Sequence, residues 1–356
     1  MKRESKGNLC LLPVLLCLLL GFFLTEQGSR SIPAKDYEAK LAAAKLSARC
    51  QRAIAAYREE LGLPMNESAD VNRTGLIGPD YSWITTTLGN LEAKRTSTNP
   101  NMAAIFVDMF TSIGCQEGDC VAVNCSASFP ALNIAGLAAM ETLGLCPVVM
   151  SSFGASTHGA NDPELTWQDM EDHLYELGLL ATKSRFFSVG GNLDIGTEMP
   201  EAVKREAIAR LEEKGYSLWY EEDIRENIQK RYDYYQSQGD VKCFVNIGGN
   251  DVSFGNDLAM VQAKGGILTS LTDHDKTQGL VQMFLRDHVP VIHFLNIKSL
   301  ANSYGLPIDP CPLPRPGVGA VYEEKSYPRI IPLLSLSLAI AILLLRRRLL
   351  RENHSR

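Results

Sequence analysis

The sequence predicts an α/β fold: three layers, doubly wound around a mainly parallel sheet of about five strands, with a transmembrane helix at each end. Three observations lead there. Five short apolar runs, Cys120 to Cys125, Cys146 to Met150, Phe186 to Val189, Val241 to Ile247 and Val289 to Leu295, read as strands buried on both faces. Helical segments separate them, at Phe129 to Leu143, Pro163 to Leu180, Pro200 to Tyr235 (two helices) and Thr277 to Asp287, the alternation of βαβ units. Longer apolar runs near both ends carry basic residues on their outer flanks.

In chain order, residues 1–28 form the N-terminal anchor. Leu9 to Leu24 is almost wholly apolar and follows Lys2, Arg3 and Lys6. The residues after it, Thr25 to Ser29, lack an A-x-A-like cleavage site, which favours an uncleaved anchor over a signal peptide. Leu16 before Cys17 argues against lipoprotein processing. Residues 29–98 read as a helical stalk and an irregular segment. Ala34 to Leu61 has no Gly or Pro, is rich in Ala, Lys, Glu and Arg, and should be a helix ending at Gly62 and Pro64, between membrane and domain. Turn signals at Gly75, Gly78-Pro79 and Gly89-Asn90 interrupt the irregular segment beyond it.

The α/β ligand-binding domain is expected over 99–304, opened by a helix at Asn101 to Ile113. Pro307, Pro310, Pro312, Pro314 and Pro316 make 305–328 a stiff extended linker. Residues 329–356 hold the C-terminal transmembrane helix and basic tail. Ile330 to Leu345 is short of the ~20 residues of a usual span. Leu349, Leu350 and snorkelling Arg346, Arg347 and Arg348 would lengthen it, and a buried C-terminal helix is the alternative. The basic flanks place both termini in the cytoplasm and the body outside the cytoplasmic membrane.

The formal net charge of −6 argues against a nucleic-acid partner, which usually meets a basic stripe. Of nine cysteines, Cys10 and Cys17 fall in the first apolar run. Cys115, Cys120 and Cys125 lack the C-x-x-C spacing of zinc sites. Cys115 and Cys120 could close a disulfide, while Cys125, Cys146 and Cys243 read as small core residues. His173, His274, His288 and His293 fall in no metal-ligand spacing. No metal or cofactor is expected.

In open parallel sheets ligands bind outside the carboxyl ends of the strands. The segments after the five runs are Ser126-Ala127-Ser128, Ser151 to Asp162, Gly190 to Gly196, Gly248-Gly249-Asn250-Asp251 and Asn296 to Ser299. Connectivity should bring them to one edge as a cleft. Ser152, Gly154, Ser156, Asn161, Asp162, Gly190, Gly191, Gly248, Gly249, Asn250, Asp251 and Lys298 are the expected ligand contacts. Helices opening near Pro130 and Pro163 would turn free N–H groups toward an anion. Ser126 and Ser128 are candidate nucleophiles, though G-x-S-x-G is absent and an N-cap or ligand contact competes. His158 is the candidate base, or else a histidine in a helix whose N-cap is Asp162 and whose first residue is Pro163. Asp194 is a candidate acid or base, against the commoner role of bonding its own loop. Asp273-His274-Asp275-Lys276 reads as a solvated turn, with a lid as the alternative.

Ser152-Phe153-Gly154-Ala155-Ser156-Thr157-His158-Gly159-Ala160-Asn161-Asp162-Pro163-Glu164-Leu165-Thr166-Trp167 resembles the signature segment of the poly-gamma-glutamate system protein family, membrane-anchored bacterial proteins encoded with the machinery that makes and exports that polymer. Gly118-Asp119 through Asn133, Asn246 to Asn250, and His293 to Asn296 through Tyr304-Gly305-Leu306-Pro307 are similar to it as well. The likeness runs from about Tyr37 to the C-terminal apolar run. It implies an accessory role with poly-gamma-glutamate, or its synthesis and export complex, as partner. It implies no catalytic residue, and the family pattern has tryptophan at the position of His158, which argues against a required base. Two alternatives stand beside it: a serine-dependent hydrolase or transferase acting on the gamma-glutamyl amide, and a sugar-phosphate-binding domain of another envelope pathway.

Overall fold

The computed structural model describes residues 11–255, 265–271 and 279–352. The turn expected at Asp273 to Lys276 lies outside them. The chain divides into two compact units: residues 35–322, and the two terminal segments that flank them.

The larger unit is built on a sheet of seven strands. Along the chain come α2 (Tyr37–Glu60), α3 (Leu91–Ser97), α4 (Met102–Ser112), β2 (Cys120–Cys125), α5 (Pro130–Thr142) and β3 (Cys146–Ser152). The hairpin strands β4 (Asn161–Asp162) and β5 (Leu165–Thr166) come next, then α6 (Trp167–Glu176), β6 (Phe186–Ser188), α7 (Glu201–Glu213) and β7 (Ser217–Leu218). After these are α8 (Ile224–Ser237), β8 (Val241–Ile247), α9 (Asp251–Phe254), β9 (Gly266–Leu268), α10 (Leu280–Arg286), β10 (Val291–Phe294) and α11 (Ile297–Ser303).

The strand order is β7-β6-β3-β2-β8-β10-β9, parallel throughout except for β9, which runs antiparallel to β10. The expected five strands are the inner ones. The edge strands β7 and β9, of two and three residues, were not expected. Alternate residues of the central strands serve different cores. Val121, Val123, Cys125, Cys243, Val245 and Ile247 enter one with α2, α4, α5 and α6, while Ala122, Met150 and Phe244 enter the other with α8 and α10. The chain winds outward from β2 through β3 and β6 to β7, then crosses to β8 on the far side of β2. The switch point therefore lies between β2 and β8, where Asn124 pairs with Asn246. Cys125 and Cys243 are buried as expected, but Cys146, at the start of β3, is exposed. Cys115 faces Cys243, at 3.9 Å between sulfurs, rather than Cys120.

Three local expectations change. The supposed stalk helix α2 is a layer of the domain: Ala43, Ala44, Ser47, Cys50, Gln51 and Ile54 are buried, and these mostly small side chains let it lie closely on its neighbours. The Pro-rich segment is not a free linker up to Tyr322. Leu306, Val321 and Tyr322 are buried, Tyr322 Oη donates to Asn101 Oδ1 at 2.6 Å, and Asn72 donates to the Pro310 carbonyl at 2.8 Å. The helix after β3 starts at Trp167, not Pro163, because Asn161–Asp162 and Leu165–Thr166 pair as a hairpin. Thr166 is its N-cap, in a capping box with Asp169.

In the other unit, β1 (Arg30–Pro33) pairs antiparallel with β11 (Glu323–Ser326). The helices α1 (Leu12–Gln27) and α12 (Ile330–Glu352) pack side by side, with Cys17 Sγ 3.5 Å from the Ser335 carbonyl. Within α12, Ile330–Arg348 is long and apolar enough to cross a membrane, with mean hydropathy 2.0 and 6% of it buried. α1 is apolar but shorter, at 16 residues.

Candidate functional site

A cavity of about 200 Å³ opens where the carboxyl ends of β2, β3, β6 and β8 meet. Ser152, Gly154, Gly190, Gly191, Gly249, Asn250 and Asp251, all expected ligand contacts, line it with the candidate nucleophiles Ser126 and Ser128 and with Thr86, Thr87, Asn192 and Glu198. The parallel sheet delivers these loops to one edge, as its winding requires. Two glycines are needed for close approach. Gly248 has φ of +88°, and a Cβ there would meet Ser126 Cβ at 2.8 Å; Gly190 has φ of +77°, and a Cβ would meet Ser152 Cβ at 2.8 Å.

The hydroxyls form a hydrogen-bonded wall. Ser126 Oγ accepts from the Ser128 N–H at 3.2 Å, Ser128 Oγ from the Ser156 N–H at 2.9 Å, and Ser152 Oγ from the Ala127 N–H at 3.1 Å. Ser152 donates onward to the Gly154 carbonyl at 3.2 Å. The hydroxyl protons of Ser126 and Ser128 find no acceptor among the described residues and can be given to a ligand. Ser126 is also bonded through its carbonyl by Asn133 Nδ2 at 3.0 Å, which holds the loop against α5.

Behind this wall lies Lys94, which the sequence left inside an irregular segment. It is 1% exposed. Its ammonium donates to the Ser128 carbonyl and, at 2.7 Å, to Ser156 Oγ, and stands 4.0 Å over the Phe129 ring. No carboxylate pairs with it among the described residues, and desolvation pushes its pKa down to about 7.

Beneath the switch point is a buried polar network. Asn124 Nδ2 donates to Asn250 Oδ1 at 3.0 Å and to Ser253 Oγ at 2.8 Å, and Ser253 donates to Asn246 Oδ1 at 2.5 Å. Asn246 Nδ2 donates to the Gly248 carbonyl at 2.8 Å and lies 3.1 Å from His293 Nδ1. Asn124 Oδ1 accepts from Arg231 Nη1 at 3.2 Å. Arg231 also pairs with Asp194, which takes Ser188 Oγ at 2.7 Å and Asn227 Nδ2 at 3.2 Å. This network fixes Asn250 and the Gly248-Gly249 turn from below.

The other expected site residues lie elsewhere. Asp194 is 3% exposed, and its pKa is raised by desolvation, against the pull of Arg231; it is enclosed in the network rather than in the cavity. His158 has φ of +61° and faces Asp80, at 3.6 Å, not a serine. Asn161 is fully buried and donates to the Pro79 carbonyl and Thr85 Oγ1, each at 3.0 Å. Asp162 pairs with Arg58 at 2.8 Å instead of capping a helix. Ser156 sits behind the wall on Lys94, and Lys298 is half-exposed and paired with Glu92.

Thr86 and Thr87 escaped the sequence reading because tertiary pairing alone brings them in. The Thr86 N–H donates to the Ala155 carbonyl at 2.9 Å, and the Thr157 N–H to the Thr87 carbonyl at 2.9 Å. Glu198 is tied to the glycine loop, where both its oxygens accept from the Asn192 N–H at 3.1 Å. Asp251 Oδ2 accepts from the Leu193 N–H at 2.8 Å. Among the described residues no group of three His, Cys, Asp or Glu side chains could hold a metal ion. The cavity thus combines hydroxyl donors with two carboxylates and open backbone, which suits a small polar ligand. No protein-family model matches the chain, and neither a curated protein nor a solved structure matches it significantly.

Proposed function

We propose that this protein is a membrane-anchored accessory component of poly-gamma-glutamate biosynthesis or export, whose cleft binds a glutamyl ligand. In this reading α1 and α12 tether it to the cytoplasmic membrane, both termini are cytoplasmic and the α/β body lies outside. Support for the pathway comes from the resemblance of Ser152 to Trp167 and its companion segments. One observation carries the binding role: the cavity at the β2/β8 switch point, where Ser126 and Ser128 offer hydroxyl protons beside glycine backbone. Neither serine is contacted by an imidazole or carboxylate among the described residues, which favours holding over cutting.

The hydrolase reading rests on a different observation, the buried Lys94 amine, its pKa lowered to about 7, held on the carbonyl of the candidate nucleophile Ser128. Incubating the full chain with poly-gamma-glutamate separates the readings. Binding with the polymer length unchanged supports the accessory role. Shortening that Ser126→Ala, Ser128→Ala or Ser156→Ala abolishes supports the enzyme and overturns it. Indifference to the polymer, with thermal stabilisation by a phosphosugar, also overturns it in favour of a sugar-phosphate site. A thiol reagent that cannot cross membranes should label Cys146 and Cys311 on intact cells; labelling only after lysis would sink the topology.

A further inference from the structure

Two kinds of polar group line the cavity. On the loop after β2, Ser126 and Ser128 present hydroxyl protons, and the Lys94 ammonium is bonded to the Ser128 carbonyl. That ammonium has no carboxylate partner among the described residues, an arrangement that is costly to bury alone. Glu198 and Asp251 line it too, gathered on the backbone N–H groups of Asn192 and Leu193, and neither is paired with a cationic side chain among the described residues. A bound molecule that turns a negative group to the hydroxyls and a positive group to the carboxylates would compensate both. At about 200 Å³ the space is below the ~300–1,000 Å³ of pockets for drug-sized ligands, and holds one amino-acid unit rather than a length of polymer.

We infer that the cavity takes the amino end of a glutamyl chain, with its α-carboxylate on Ser126 and Ser128 backed by Lys94 and its free ammonium between Glu198 and Asp251. The inference rests on the glutamyl reading above and narrows it. Interior units of the polymer carry the carboxylate but have an amide in place of the ammonium, so they satisfy the hydroxyls only. The carboxyl terminus brings a second negative charge and meets Asp251 unfavourably.

The test is titration calorimetry on the full chain with gamma-glutamylglutamate, its N-acetyl derivative, L-glutamate, and polymer with free or acetylated amino ends. Acetylation should weaken binding roughly 30-fold or more, because it removes the charge and leaves two carboxylates facing an amide. Asp251→Asn and Glu198→Gln should each reduce affinity for the free amine roughly tenfold and leave the weak acetylated ligand unchanged. A fold that survives in either variant, checked by thermal unfolding, keeps the comparison valid. Acetylated and free chains binding within threefold of each other would overturn the inference while the glutamyl reading stands. Binding of L-glutamate with exclusion of the dipeptide would overturn it in favour of a free amino-acid site. Absence of binding by any glutamyl compound at millimolar concentration would overturn both.

Discussion

Replacing Lys94 by methionine keeps the length and the apolar stem but removes the amine. An unfolded chain holds the lysine proton up to about pH 10.5, whereas burial lowers the folded value to about 7. Between those values unfolding takes up a proton, so raising the pH favours the folded state. The penalty is fully present below pH 7 and fades as pH approaches 10.5. Its full size is about 5 kcal/mol, from a shift of 10.5 to about 7 at ~1.36 kcal/mol per unit. At neutral pH the variant also loses the bonds to the Ser128 carbonyl and Ser156 Oγ, each unsatisfied group costing ~1–3 kcal/mol, so the net change there is small. The slope is the cleaner quantity. From pH 7.5 to 10, wild type should gain about 3 kcal/mol on Lys94→Met. Urea unfolding of both full chains, followed by tryptophan fluorescence at several pH values, measures it. Parallel stability profiles over that window would refute the claim that this buried amine lacks a counter-charge.

Arg231→Met leaves Asp194 buried without its cation and should cost about 3–5 kcal/mol, read as a lowered urea midpoint; a change below ~1 kcal/mol would contradict the enclosed pair. Gly248→Ala forces a side chain into φ of +88° against Ser126 and should cost at least ~1–2 kcal/mol, together with ligand affinity. Desolvation holds His293 at about pKa 4, below its ordinary 6.5, so wild type should lose stability as pH falls from 6.5 to 4, by up to about 3 kcal/mol; His293→Leu should flatten that decline, and equal declines would count against it. Alkylation should reach Cys146 and Cys311 first, with Cys50 and Cys125 reacting only on unfolding, since both are buried and burial pushes the Cys50 thiol up to about 12 and the Cys125 thiol higher still. Early modification of Cys125 in folded protein, followed by peptide mapping, would show that its core position is wrong.

Much of the fold was legible because parallel strands covered on both faces must be apolar throughout. Val121 to Cys125 and Cys243 to Ile247 could hardly be read otherwise. Once those strands are parallel, their carboxyl ends share an edge, and Ser126, Ser128, Ser152, Gly190 and Gly249 meet there without further information. Their small side chains and glycine turns are local properties, written in the chain beside each strand. The role of His158, Asp162 and Lys298 was not local. In sequence His158 read as a base and Asp162 and Lys298 as ligand contacts, yet each is taken by a partner far along the chain: Asp80, Arg58 and Glu92. Lys94 shows the converse, since nothing around Leu91 to Ser97 marks it as buried. Only the packing of α3 against the β2 and β3 loops removes its water and sets it behind Ser128. Sequence alone therefore determined the sheet and the edge where the cavity lies, because hydrophobic period and chain direction are local. Tertiary structure decided which charges face that cavity, because desolvation and pairing depend on neighbours that the chain order does not name.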